Sequence, residues 1–379
     1  MNLLIEAPWG SPQDTRRAQT GERDHAIIPS PEPASTKGFS TVNPAGLRPL
    51  FVVGAPRTGT TLVRDILNRH PQVHLFDEVH FFERIWDERA RWGDLSDAVS
   101  RRQAIDRLRS VVQEFGSDQE VAGVLNPDAF MERMQREGGG YRGLLAALLK
   151  TGAELHGAIV WGDSSPQDVL YLPQIFEWFP DARVIALVRD PRDFLSSYKN
   201  YHRRGVSSYR ERYNPLTNSI LWRSSMTAVL ESARQSWGAG VLRMRYEDLV
   251  RDPEAQVRRL CAHAGIHYDP ALLDVPRSNS SFTPDAETGA KRGISAGSVD
   301  RWKTALTPTE IWIAERVTGR CMHEFGYERS NSAAARPSLI ELMAIGAVLP
   351  SRLFNLLFRS HKPFRLVKVR RVFSLFRAG

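Results

Sequence analysis

The sequence predicts an α/β protein: a parallel sheet flanked by helices, with a helical insertion and a C-terminal amphipathic tail. Three observations predict it. Between Leu47 and Arg329, short apolar runs alternate with stretches whose apolar residues recur every three or four positions. The first run, Leu50–Val53, enters a turn bracketed by Gly54 and Gly59 and then "LVRDILNRH", so the sheet is of the P-loop type. The 379 residues are 42% hydrophobic and 25% charged, which suits a globular core large enough to need no staples.

Taken in order, residues 1–46 are rich in Pro, Ser, Thr and Gly ("IIPSPEPASTKGFSTVNPAG") and are expected to form a disordered arm. One domain is expected over 47–329. Its strands are expected at Leu50–Val53, Ala158–Trp161, Arg183–Val188 and Val241–Arg245, each followed by a turn and a helix. "SPQDVLYLPQIFEWF" and "DPEAQVRRLCAHAGI" both begin with helix-opening residues. Residues 87–156 break the rhythm. Here "RRQAIDRLRSVVQEF" and "YRGLLAALLKTGAEL" are helical, with Gly138-Gly139-Gly140 between them. They read as an insertion between the first two predicted strands, placed to serve as a substrate lid or as a plain packing layer.

The net charge of +8 sits mostly in the tail, 330–379. From Pro337 onward, eight Lys and Arg face one acid, Glu341. The body is close to neutral, so no nucleic-acid partner is expected. Leu339–Leu349 is too short to span a bilayer, and Pro350 separates it from the next apolar run. Apolar residues interleaved with Arg and Lys allow helices lying on an anionic membrane surface, or an arm packed on the domain. Cys261 and Cys321 give neither a disulfide framework nor a metal pair, and "MNLLIEAPWG" lacks a secretory pattern. The expected location is cytoplasmic, peripheral on the inner face of the membrane.

A strand, a glycine-bracketed turn and a helix aim backbone N–H groups and the helix dipole at one point. "GAPRTGTT" is therefore read as an anion site, or failing that as a plain connection. The lysine of a nucleotide-hydrolase loop is replaced by Thr60, and Thr61 comes next. Arg57 offers a planar fork suited to tetrahedral oxyanions. Thr58, Thr60 and Thr61 add hydroxyls. No acid stands where a magnesium ligand would be evident, and no metal is expected. A sulfuryl group carries one charge where a phosphoryl group carries two, so a sulfate donor can do without one. In "VIALVRDPRDFLSSYKNY" a second strand ends at Arg189 and Pro191 opens a helix that holds Ser197. Alone, Arg189 would be read as pairing with Asp190 or Asp193.

Together, "GAPRTGTTLVRDILNRHP" and the Arg189–Ser197 stretch resemble the sulfotransferases that use 3′-phosphoadenosine 5′-phosphosulfate. The likeness is to the bacterial type, with motif spacing nearest the tyrosylprotein sulfotransferase branch, and it runs from Leu47 to Tyr327. It implies that Arg57 meets the phosphosulfate bridge, aided by Thr58, Gly59, Thr60 and Thr61, and that Arg189 and Ser197 hold the 3′-phosphate. It implies a nucleotide contact for Tyr246, whose other reading is a packed aromatic at a strand end. Arg301 or Lys303, beside Trp302, would reach the 3′-phosphate side. The loop "ETGAKRGISAGS", with Lys291 and Arg292, would fold over the nucleotide. A glutamate 21 residues after the loop arginine serves as base in that branch, and here that position is Glu78, in "LFDEVHFF". His80 is the second candidate base, or else an acceptor contact. One position departs: after "WGD" many relatives have a lysine, and here it is Ser164. The implied reaction is in-line sulfuryl transfer to a small-molecule, glycan, lipid or peptide hydroxyl. The competing readings are a P-loop kinase and a catalytically silent nucleotide-binding scaffold.

Overall fold

A run such as Leu50-Phe51-Val52-Val53 has no polar face to turn to water, so it makes a strand only where layers cover both sides of its sheet. The computed structural model, which describes residues 49–115, 127–201, 213–276, 292–330, 336–350 and 373–374, has that architecture. Its strands are β1 (Leu50–Gly54), β2 (Val73–Asp77), β3 (Val160–Ser164), β4 (Arg183–Val188) and β5 (Val241–Arg245). All neighbouring pairs are parallel, in the order β2-β3-β1-β4-β5. Alternate side chains of β1 feed two cores: Phe51 and Val53 enter one, Leu50 and Val52 the other.

The helices are α1 (Thr60–Leu67), α2 (Ala98–Phe115), α3 (Pro127–Arg136), α4 (Gly140–Leu155), α5 (Leu172–Trp178), α6 (Pro191–Tyr201), α7 (Pro215–Ser232), α8 (Tyr246–Arg251), α9 (Pro253–Ala264), α10 (Trp302–Ala305), α11 (Pro308–Glu324) and α12 (Leu339–Ala347). Val63, Ile66 and Leu67 of α1 and Val257 and Leu260 of α9 pack on the Leu50 side. Leu144, Leu145, Leu148 and Leu149 of α4 and Trp222 and Met226 of α7 pack on the Phe51 side. The fold is thus a P-loop-type α/β sheet covered on both faces.

Three strands lie where the sequence predicts them, and β3 begins two residues later than expected. The sequence does not predict β2. His74 and Asp77 interrupt its apolar run, and it is an edge strand. His74 is nonetheless buried, stacked on His156 with ring centroids 4.0 Å apart. Burial, with His156 adding to it, lowers its pKa to about 3, so the ring packs as a neutral aromatic. The helices α2, α3 and α4 fall inside 87–156 but come after β2, so the insertion separates β2 from β3. The predicted arm 1–46 and most of the tail, 351–372 and 375–379, lie outside the described residues.

Gly162, in the middle of β3, lets two strands approach. A Cβ there would come 1.7 Å from the Leu50 carbonyl oxygen of β1. Gly162→Ala is expected to destabilise the fold by about 3 kcal/mol or more, read as a lower denaturant midpoint. An unchanged midpoint would show that the β1–β3 contact can relax at no cost.

Candidate functional site: two anion motifs joined at the sheet edge

The C-terminal end of β1 turns at Gly54, where the absent Cβ makes room. A Cβ would lie 2.6 Å from the Thr58 hydroxyl and 2.7 Å from the Leu187 carbonyl oxygen. Thr58 is fully buried, and both its N–H and its hydroxyl donate to the Ala55 carbonyl, at 3.2 and 2.7 Å. The sequence pattern points this hydroxyl at the anion. Instead it closes the turn, because the tight loop needs an internal donor more than an external one. Arg57 and Gly59 have positive φ, 72° and 105°. The Gly59 conformation costs nothing for glycine, whereas Arg57 carries the usual penalty for a non-glycine residue. Gly59 caps α1 without a side-chain hydrogen bond, so the helix adds its positive N-terminal end to the loop. Thr60 is buried and Thr61 half-buried at this first turn.

The two motifs, 132 residues apart at their arginines, meet. Arg189 Nη1 donates to the Arg57 carbonyl at 3.1 Å. Arg57 Nε donates to the Ser197 hydroxyl at 3.3 Å. Arg189 is 6% exposed and its guanidinium lies 4.4 Å over the Tyr246 ring. Tyr246 also crowds Gly59: a Cβ there would come 2.5 Å from the ring. Arg189 Nη2 donates to the Ser298 carbonyl at 2.9 Å, and the Tyr246 and Ser298 hydroxyls are 2.6 Å apart. Arg57, Gly59, Arg189, Ser197 and Tyr246 are therefore one cluster. Arg301 belongs to the same turn as Ser298, but its Nε donates to the Gly297 carbonyl. Lys303 pairs with Asp300 at 3.2 Å. Lys291 lies outside the described residues, and Arg292 is bound to Asp274.

The acids beside Arg189 have other work. Asp190 pairs with Arg192 at 2.7 Å. Asp193 accepts from the N–H groups of Asp300 and Trp302, at 2.8 and 3.0 Å, tying the 298–302 turn to α6. Burial pushes Asp193 up to about 6 against the pull of the Arg189 charge. Among the described residues Arg189 forms no ion pair, and its Nε has no hydrogen-bond partner. A buried guanidinium with a donor to spare is a group suited to an anion.

Glu78 lies just after β2 at the same edge of the sheet, 39% exposed. Glu78 and His80 both have left-handed backbone, φ 49° and 54°. Such residues cost about 1–3 kcal/mol each and persist where neighbours over-determine them. Here Val79 N–H donates to Asp163 Oδ1 at 3.2 Å and His80 N–H to the Ser165 hydroxyl at 3.1 Å. His80 Nε2 lies 3.3 Å from Glu78 and Nδ1 3.2 Å from Glu83. Burial disfavours a charged ring, but hydrogen bonds to Glu78 and Glu83 outweigh it and raise the pKa to about 10. The two carboxylates thus favour the protonated ring, and His80 stands beside Glu78 as its partner.

Beneath this turn lie two acids that sequence reasoning misses. Asp163 and Asp168 are 1% and 2% exposed. Burial raises both, Asp168 further because the Asp163 and Glu83 carboxylates face it. Asp163 lies near the end of β3, next to β1, where a P-loop phosphoryl transferase keeps a magnesium-binding acid. Its carboxylate is occupied instead in bracing Val79. The signal is present in "WGDSSPQD", an acid closing a strand. Ser164, in the expected lysine position, is buried and its hydroxyl has no partner among the described residues.

A model of the sulfotransferase family matches residues 49–270. Nodulation protein NoeE of Sinorhizobium fredii is 25% identical over 320 residues, covering 77% of this chain and 68% of that protein. Protein-tyrosine sulfotransferase A of Caenorhabditis elegans is 24% identical over 250 residues, covering 63% of this chain and 54% of that protein. Among solved structures, the sulfotransferase domain from the Synechococcus PCC 7002 olefin synthase is 21% identical, covering 76% of this chain and 99% of that domain, with a TM-score of 0.45. The chain spans 30%, 54% and 68% of the length of three curated relatives it matches.

Proposed function

The chain belongs to the sulfotransferase family, and with that as premise we propose that it transfers a sulfuryl group from 3′-phosphoadenosine 5′-phosphosulfate to a hydroxyl acceptor, with Glu78 as general base. One observation carries the reading: Arg57 bonds Ser197 while Arg189 bonds the Arg57 carbonyl, so the two motifs are close enough to share one ligand. A donor with a phosphate at each end of a ribose needs that arrangement. Arg57 and the N–H groups of Gly59, Thr60 and Thr61 would take the 5′ end, and Arg189 and Ser197 the 3′-phosphate. Tyr246, already under Arg189, would hold the nucleotide between them, with Arg301 beside the 3′ end. When bound, the donor supplies sulfur linked to a phosphate oxygen that leaves as the acceptor oxygen attacks in line. Glu78 takes the hydroxyl proton, and Arg57 stabilises charge on the departing phosphate. Names of relatives include a tyrosine and a carbohydrate sulfotransferase. They support a hydroxyl acceptor in general, and small-molecule, glycan, lipid and peptide hydroxyls all fit the proposed reaction.

The test is a thermal shift. Adenosine 3′,5′-bisphosphate at a hundredfold its Kd adds ~2.7 kcal/mol, expected to raise Tm by about 5 °C or more at this domain size. ATP with Mg²⁺ should do far less. Equal shifts would count against the reading, and a larger shift with ATP and Mg²⁺ would favour the kinase, in which Asp163 would turn to a metal. A silent scaffold would bind the bisphosphate yet turn over no acceptor.

We infer in addition that the tail meets an anionic membrane surface. Helix α12 faces the domain with polar groups: Thr307 donates to Glu341 at 3.0 Å and Asn214 to the Ile345 carbonyl at 3.1 Å. Leu339, Ile340 and Met343 point outward, 70%, 76% and 59% exposed. The sequence beyond, 351–379, has eight Lys and Arg and no acid. Among the described residues no helix is long and apolar enough to cross a membrane. Co-sedimentation should be strong with phosphatidylserine vesicles and weak with phosphatidylcholine. Replacing Leu339, Ile340 and Met343 by Ser should weaken it at least tenfold, and no change would remove the helix from the contact.

A further inference from the structure

We propose that Glu83 is a positioning residue for sulfuryl transfer, acting through the His80 ring to hold the Glu78 carboxylate at the sheet edge. The proposal rests on the reading of Glu78 as base. Its ground is a file of three side chains that runs inward: Glu78 is 39% exposed, His80 13% and Glu83 5%. Each ring nitrogen of His80 faces a carboxylate oxygen, Nε2 toward Glu78 at 3.3 Å and Nδ1 toward Glu83 at 3.2 Å. A neutral imidazole can donate from only one nitrogen. Two carboxylate partners therefore call for the protonated ring, donating on both sides. The raised pKa of His80 agrees with this geometry.

The setting is built rather than loose. The backbone of 78–80 is held in its left-handed turn by Asp163 and Ser165. Glu83 itself sits in the single wide helical turn Phe82–Trp86, a geometry that recurs at functional sites. The charged groups around the ring are Glu78, Glu83, Asp163 and Asp168, and Arg84 acts on Glu83 in turn. Among these acids, burial and the facing Asp163 and Glu83 carboxylates push Asp168 up. Of these, Glu83 is the one bonded to the nitrogen that Glu78 does not use. If its charge is removed, burial acts on the ring unopposed at Nδ1 and the imidazolium deprotonates at lower pH. Glu78 then loses a fixed cationic partner, and its orientation toward the acceptor is no longer enforced.

The experiment uses the full chain labelled with [¹⁵N]histidine, with the His80 signal assigned by its loss in His80→Gln. In the unaltered protein His80 should stay protonated to about pH 9. In Glu83→Gln it should titrate below pH 8. Over that same pH range kcat should fall at least tenfold while KM for the donor changes less than twofold. An unmoved titration, or a moved titration with kcat intact, overturns the proposal. If Glu83→Gln does not fold, Glu83→Asp takes its place, keeping the charge at shorter reach with a smaller loss in the same direction. Full turnover by Glu78→Gln would instead sink the base reading, and the nitrogen titration would still report whether Glu83 governs His80.

Discussion

Glu78→Gln is expected to lower kcat by about 10²–10⁴-fold and to leave affinity for adenosine 3′,5′-bisphosphate within twofold. Glutamine keeps the size and one carbonyl acceptor of the residue, so the contact with His80 can persist. What it cannot do is receive a proton. The cluster around Arg57 and Arg189, proposed to hold the bisphosphate, contains no atom of Glu78 among its described contacts, so binding and turnover should separate. The measurement pairs steady-state turnover with calorimetric titration of the product nucleotide. Retained turnover would move the proton elsewhere, and parallel loss of both quantities would mean that Glu78 shapes the nucleotide site. His80, flanked by two carboxylates that favour its protonated form, is poorly placed to substitute.

Arg189→Ala should act on the other quantity. Its two terminal nitrogens each stand for a charge-assisted hydrogen bond of ~1.5–3 kcal/mol, so bisphosphate affinity is expected to fall by about 10²–10⁴-fold. The loss also strips the cation from the Tyr246 ring. Arg189→Lys keeps the charge but not the fork and should fall between the two. Because the residue is buried, the Tm of the free variant must be compared as well. A large drop in stability with unchanged affinity would make Arg189 a brace for the 298–302 turn and nothing more.

Much of the site is legible in the sequence because its parts are local. A glycine-bracketed turn between a strand and a helix is written in consecutive residues, and so is Arg189 at a strand end. Their meeting is only an inference at that level, since sequence spacing does not say which strands neighbour one another. The sheet order supplies it: β1 and β4 lie side by side, so their C-terminal turns share one edge. β2 is hidden because one edge strand tolerates His74 and Asp77 where a central strand would not. The acids under Glu78 are hidden for a different reason. Glu83 lies in the turn after β2, Asp163 in β3 and Asp168 in the turn after it, so they meet only because β2 and β3 are neighbours in the sheet, and a buried carboxylate has the same letter as a solvated one. Thr58 shows the reverse error: a hydroxyl in an anion loop looks like a ligand until its own backbone claims it.

Arg189 at present commits both terminal nitrogens to carbonyl oxygens of the protein, those of Arg57 and Ser298. A guanidinium has five N–H donors, so an arriving phosphate can take those left over, Nε–H among them, but gains the two engaged ones only as the carbonyls give them up. The measured binding constant is then the net of old partners surrendered and new ones acquired, and it understates the strength of the grip once made. Substitutions that loosen the 298–302 turn, without touching the ligand, should for that reason tighten the apparent affinity.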